Sequence, residues 1–158
     1  MQSSPALSVL FVCLGNICRS PLAEAALREA AGAAGLPLLV DSAGTGSWHI
    51  GHPPDPRARA EAARHGIDIG SYRARQVTPD DFLRFDRIYA LDRSNLSDLQ
   101  ELAPAGATAQ VALLLDAVPA LAGRSVADPY HGDAAHFAQT WQEVTLAARH
   151  IIDALRQT

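Results

Sequence analysis

The chain has 158 residues, within the about 100–200 that one domain usually takes, so residues 1–158 read as a single unit. Thirteen Lys+Arg against 17 Asp+Glu leave a net charge of −4, a poor match for a polyanion, which argues against nucleic acid as a partner. All 13 basic residues are arginine, which excludes a Gly-Lys-Ser/Thr phosphate loop, a pyridoxal Schiff base and a Ser-Lys pair, and leaves Arg and backbone N–H groups to bind any anion.

The run Ser8–Cys13 is continuously apolar and rich in β-branched and aromatic residues. That is the pattern of a strand buried on both faces of a parallel sheet. From Leu22 to Ala34 the chain is dense in Ala, Leu and Glu, strong helix formers. Ser20 suits the N-cap and Pro21 the first helical position, while Gly35 and Pro37 close the helix. The alternation repeats. Leu38–Asp41 reads as a second strand, 42–56 as a Gly- and Pro-rich loop, and Arg57–His65 as a helix stopped by Gly66. Thr78-Pro79-Asp80-Asp81 opens a short helix. Arg87–Leu91 is a third strand, Ser94–Leu102 a helix, Gln110–Leu115 a fourth strand, and Asp133–Arg156 a long terminal helix. Strands separated by helices predict βαβ crossovers: an α/β fold, an open, doubly wound, four-stranded parallel sheet with helices on both faces.

The first 18 residues carry no charged side chain. No Lys or Arg precedes the apolar run Ala6–Val12, and Gly15 and Asn16 stand where a leader's small-residue cleavage site belongs. No later stretch is long and apolar enough for a bilayer. The expectation is a cytoplasmic protein with no membrane partner. The two cysteines, Cys13 and Cys18, make neither a disulfide framework nor a four-ligand zinc site. No metal and no cofactor are expected.

Open α/β sheets bind ligands beyond the carboxyl ends of their strands, which directs attention to the loops 13–20, 42–56 and 116–132. The first runs Cys13-Leu14-Gly15-Asn16-Ile17-Cys18-Arg19-Ser20 between strand and helix. Five residues between Cys13 and Arg19 suffice to curl the backbone N–H groups of Leu14, Gly15, Asn16, Ile17 and Cys18 around one tetrahedral anion. Gly15 and Asn16 tolerate the positive φ of such a curl. A helix N-terminus adds positive potential, and Arg19 offers a planar fork matched to two phosphate oxygens. A cysteine in such a field is favoured as thiolate, so Cys13 is the candidate nucleophile and a covalent thiophosphate the expected intermediate.

With these residues, SVLFVCLGNICRSP (Ser8–Pro21) closely resembles the signature of the low-molecular-weight protein tyrosine phosphatases. The resemblance extends to Asp41–Thr45, Pro53–Arg57, His65-Gly66-Ile67, Ala74-Arg75-Gln76, Asp92 with Ser94-Asn95-Leu96, and Asp128-Pro129-Tyr130. It implies a phosphotyrosine phosphatase working through phosphocysteine. Cys13 attacks, Arg19 clamps the phosphoryl oxygens, and Asp128 protonates the leaving phenolate and then activates water. Cys18 resembles the family's second loop cysteine and would trap an oxidised Cys13 as a disulfide. Asn16, Ser20, Ser42 and His65 resemble residues that brace the loop, with Asp92 joining them. Trp48 and Tyr130 would wall a pocket deep enough to select phosphotyrosine. The implied partners are a phosphotyrosine protein or a small aryl phosphate, with inorganic phosphate as product, and the chain is expected to act as a monomer.

Three other readings are weighed. An arsenate reductase of related type needs cysteines downstream, and none follows Cys18. Protein arginine phosphatases on the same scaffold carry Thr where this chain has Ile17. A non-catalytic phosphotyrosine- or anion-binding module needs neither a thiolate nor an acid, yet Cys13, Arg19 and Asp128 occur together.

Overall fold

The computed structural model describes residues 6–157. Strand β1 (Leu7–Cys13) is buried from Ser8 onward. Its side chains alternate between two cores: Val9, Phe11 and Cys13 enter one, Leu10 and Val12 the other. β2 (Leu38–Gly44), β3 (Arg87–Ala90) and β4 (Gln110–Leu113) join it in the order β2-β1-β3-β4. Every pair is parallel.

Parallel neighbours need crossovers, and the helices supply them. The buried faces of α1 (Arg19–Ala34), α2 (Pro56–Arg64) and α5 (Ala134–Arg156) fill the core that holds Cys13. Phe82 of α3 (Asp81–Arg84) and Leu99 of α4 (Arg93–Leu102) fill the other. α1 packs chiefly on α5, where buried Ala23, Ala26 and Ala31 face a helix whose own buried residues include Ala147 and Ala148. The predicted Gly35 stop is present: it is left-handed at φ 65°, and its N–H caps the carbonyls of Ala31 and Gly32. Asp133 caps α5, and His136 returns the bond to the Asp133 N–H.

Most boundaries fall within one residue of the sequence expectation, and three differ by more. α1 begins at Arg19, with Cys18 as an N-cap that makes no side-chain bond. Ser20 is therefore inside the helix rather than capping it. Pro21 is the third helical residue, still within the first turn, where the N–H has no intrahelical acceptor in any case. β2 continues past Asp41 to Gly44, because its register against β1 runs on to Cys13. β4 ends at Leu113, and Leu114–Ala117 turn as a 3-10 helix that buries Leu114 and Leu115.

The strand order places β1 between its successor β2 and the later β3. Chain connections leave β1 and β3 in opposite directions there, which opens a crevice beyond their carboxyl ends. Cys13 ends β1, and Asp92 follows close on β3. No helix among the described residues is long and apolar enough to cross a membrane.

The core on the α4 side is separable from that crevice. Phe82 is fully buried there, so Phe82→Ala is expected to cost about 3–5 kcal/mol in urea unfolding. A loss under about 1 kcal/mol would mean that the site collapses around the deletion.

Candidate active site

The loop after β1 is fastened by its carbonyls. Thr45 N–H donates to Cys13 O at 2.9 Å, Gly46 N–H to Leu14 O at 2.9 Å, and Asp55 N–H to Ile17 O at 2.9 Å. In a trans peptide the N–H of the next residue points opposite to the carbonyl. The N–H groups of Leu14, Gly15 and Cys18 are thereby turned away from β2 and α2, toward the inside of the curl. The approach to β2 is close: a Cβ on Gly44 would lie 2.7 Å from Leu14 O, so only glycine fits.

Asn16 is left-handed at φ 57°, alone in this among the described non-glycine residues. It is 3% exposed, and its amide is fully engaged. Oδ1 accepts from Arg75 N–H at 3.0 Å, while Nδ2 donates to Ser20 Oγ at 2.8 Å and Ser42 Oγ at 3.0 Å. Ser42 in turn donates to Glu24 Oε1 at 2.7 Å. The acceptor-only carboxylate forces that direction. Ser20 Oγ accepts from Asn16 and lies 2.9 Å from Cys13 Sγ and 3.5 Å from Ala43 O, so its hydroxyl is placed to donate to the sulfur once that sulfur is a thiolate. A continuous chain of hydrogen bonds thus runs Glu24–Ser42–Asn16–Ser20–Cys13. The hydroxyl expected to cap α1 is spent on this chain instead.

Arg19 is 3% exposed. Nη1 donates to Asp92 Oδ2 at 2.7 Å and to Val126 O at 2.9 Å, while Nη2 faces Asp128 Oδ2 at 3.7 Å. The other oxygen of Asp92 accepts from Asn95 N–H at 2.7 Å and caps α4. Val126 is hung on the end of β3, its N–H bonded to Leu91 O. Asp128 Oδ1 accepts from Tyr130 N–H at 3.1 Å, which holds the carboxylate at the mouth. Burial opposes the charge on Arg19, but Cys13, Asp92 and Asp128 outweigh it and raise its pKa. Burial also pushes the Cys18 thiol up, with Asp55, Cys13 and Asp128 acting the same way, so Cys18 is a neutral thiol near pH 7.

A cavity of about 250 Å³ opens over the loop, with Cys13 and Arg19 in its floor and Asp128, Trp48 and Tyr130 in its walls. The structure brings together every residue singled out in the sequence for this site except His65. The imidazole of His65 bonds Glu61 at 2.7 Å and stacks on Trp141 at 4.6 Å. It braces α2 against α5, not the loop. The sequence reading missed Glu24, which looks like a solvated helix residue, and Arg75, whose backbone supports Asn16. His49, in the loop that carries Trp48, and His131, next to Tyr130, also line the cavity, as their places at its mouth suggest.

The chain is similar in sequence and in fold to known proteins. The family model for low molecular weight phosphotyrosine protein phosphatase matches residues 8–158. The chain is 42% identical over 153 residues to low molecular weight phosphotyrosine protein phosphatase 2 of Drosophila melanogaster, spanning 94% of this chain and 92% of that one. The crystal structure of YfkJ from Bacillus subtilis superposes with a TM-score of 0.91 at 37% identity, covering 99% of this chain and 98% of that one. That of a Drosophila arginine phosphatase superposes with a TM-score of 0.89 at 31% identity, covering 94% and 97%.

The buried carboxylate carries a pH signature. Burial raises the pKa of Glu24 above its ordinary 4.5, against the opposing bond from Ser42 and the charge of Arg28. The folded chain then holds this proton more tightly than the unfolded one. The stability it contributes is complete below the ordinary Glu range and is lost as pH rises through the raised value. Glu24→Gln is expected to flatten the fall of urea-unfolding free energy with pH above 4.5. An unchanged slope would assign that titration to another group.

Proposed function

The chain belongs to the low-molecular-weight phosphotyrosine protein phosphatase family, and we propose that it hydrolyses phosphotyrosine and related aryl phosphates through Cys13, Arg19 and Asp128. The observation that carries this reading is the convergence on one cavity of a strand-end thiol, a buried guanidinium and a carboxylate from a loop remote in sequence.

The phosphoryl group sits in the curl, its oxygens on the loop N–H groups and the Arg19 fork. An incoming dianion replaces Asp128 as partner of Arg19 and frees that carboxyl for the leaving oxygen. Cys13 Sγ attacks phosphorus as thiolate, steadied by the Ser20 hydroxyl, while Asp128 gives its proton to the departing phenolate. In the second half Asp128 takes a proton from the water that displaces the sulfur, which releases inorganic phosphate and restores the thiolate. Preorganised donors aimed at the developing charge are the main source of acceleration. Trp48 and Tyr130 flank the ring. Cys18 stands ready to condense with a Cys13 sulfenic acid, with loss of water, to a disulfide that thiols reverse.

A second reading is favoured by the likeness to the arginine phosphatase structure. Ile17 weighs against it. This half-buried residue lines the cavity and offers hydrocarbon to an aryl ring but no acceptor to a guanidinium N–H.

With EDTA present, the wild-type chain is expected to hydrolyse p-nitrophenyl phosphate and Cys13→Ser to have no turnover; persistence of activity would remove the nucleophile. Asp128→Ala is expected to lower kcat by about 10²–10⁴-fold on phenyl phosphate. The loss should be smaller on p-nitrophenyl phosphate, whose leaving group needs less protonation. Equal losses would place the acid elsewhere. Phosphotyrosine and phosphoarginine assayed side by side, with Ile17→Thr as companion, separate the two substrate readings.

A further inference from the structure

A second groove of about 360 Å³ lies beside the candidate active site. Leu14 and Trp48 line both cavities. They are 43% and 69% exposed, an unusual outlay of apolar surface at adjoining positions. The far side of the groove is formed by Val77, Gln76 and, on α4, Leu102 and Asp98. Asp98 is exposed, is the one ionisable residue in the lining, and has no ion-pair partner among the described residues. Trp48 is packed against the backbone of its own loop. A Cβ on Gly46 would lie 1.9 Å from Trp48 Cζ3, so the indole lies directly over this glycine and any larger residue would displace the ring.

Resting on the phosphotyrosine reading above, we propose that this groove seats a basic side chain flanking the phosphotyrosine of a protein substrate. The aliphatic stem of a Lys or Arg lies along Leu14, Trp48 and Leu102, as long cationic side chains do on apolar surface. Its head reaches the Asp98 carboxylate, and the indole face adds attraction for a cation. An acidic flanking residue meets only repulsion there. The groove is continuous with the phosphate site, so a peptide whose ring enters one cavity passes a neighbour over the shared wall into the other.

The test uses phosphotyrosine peptides carrying one Lys, Glu or norleucine at each flanking position in turn, with p-nitrophenyl phosphate as reference. At the best position the wild-type chain is expected to prefer Lys over Glu in kcat/KM by about fivefold at low salt, the scale of an exposed ion pair, with the preference fading as salt rises. Asp98→Asn should erase the charge preference, and Asp98→Lys should reverse it. Hydrolysis of p-nitrophenyl phosphate should be the same in all three, because that substrate does not reach the groove. Undiminished Lys preference in Asp98→Lys, or no discrimination by the wild-type chain, would overturn the proposal while leaving the phosphatase reading intact. Failure of the wild-type chain on p-nitrophenyl phosphate itself would overturn both.

Discussion

The site depends on one residue held where its backbone does not want to be. A left-handed non-glycine residue costs on the order of 1–3 kcal/mol. At Asn16 three hydrogen bonds from the amide offset this, each worth about 0.5–1.5 kcal/mol net. The two sums are of similar size, so no bond is superfluous. Each bond also goes to a different element: Ser20 on α1, Ser42 on β2, and the backbone at Arg75. The strained turn therefore knits together the pieces that surround the phosphate bowl.

Charge is handled in the same way. A guanidinium as buried as Arg19 is costly unless paired. Its partners arrive from segments that follow β3: Asp92 directly, and Val126 through a segment bonded back to Leu91. The parallel sheet makes this possible. Every strand delivers its carboxyl end to one edge, so residues far apart in sequence meet without a long loop having to reach across the molecule.

That also explains how much could be read from the residues alone. The sheet and helices were visible because buried parallel strands and Ala-rich helices leave strong periodic signals. The loop was visible because Cys, Gly, Asn and Arg have chemical and conformational demands that few other settings meet. Boundaries were less so. Nothing local says that β2 extends to Gly44; that follows from its pairing with β1. Ser20 looked like a cap because a serine before a helix usually is one, yet a stronger claim on its hydroxyl came from Asn16 and Cys13. His65 was misplaced because a motif says nothing of which way a side chain turns, and Trp141 from α5 takes the ring. Glu24 went unseen because its burial is decided by how α1 lies on the sheet, a property of the assembled fold.

Asp92 closes the start of α4 with one oxygen and grips Arg19 with the other. α4 lies on the face of the sheet opposite α1. A single carboxylate thus bridges the two layers of the molecule: the anchor of the buried guanidinium and the cap of a helix behind the sheet are one group, and a substitution there would cost both at once.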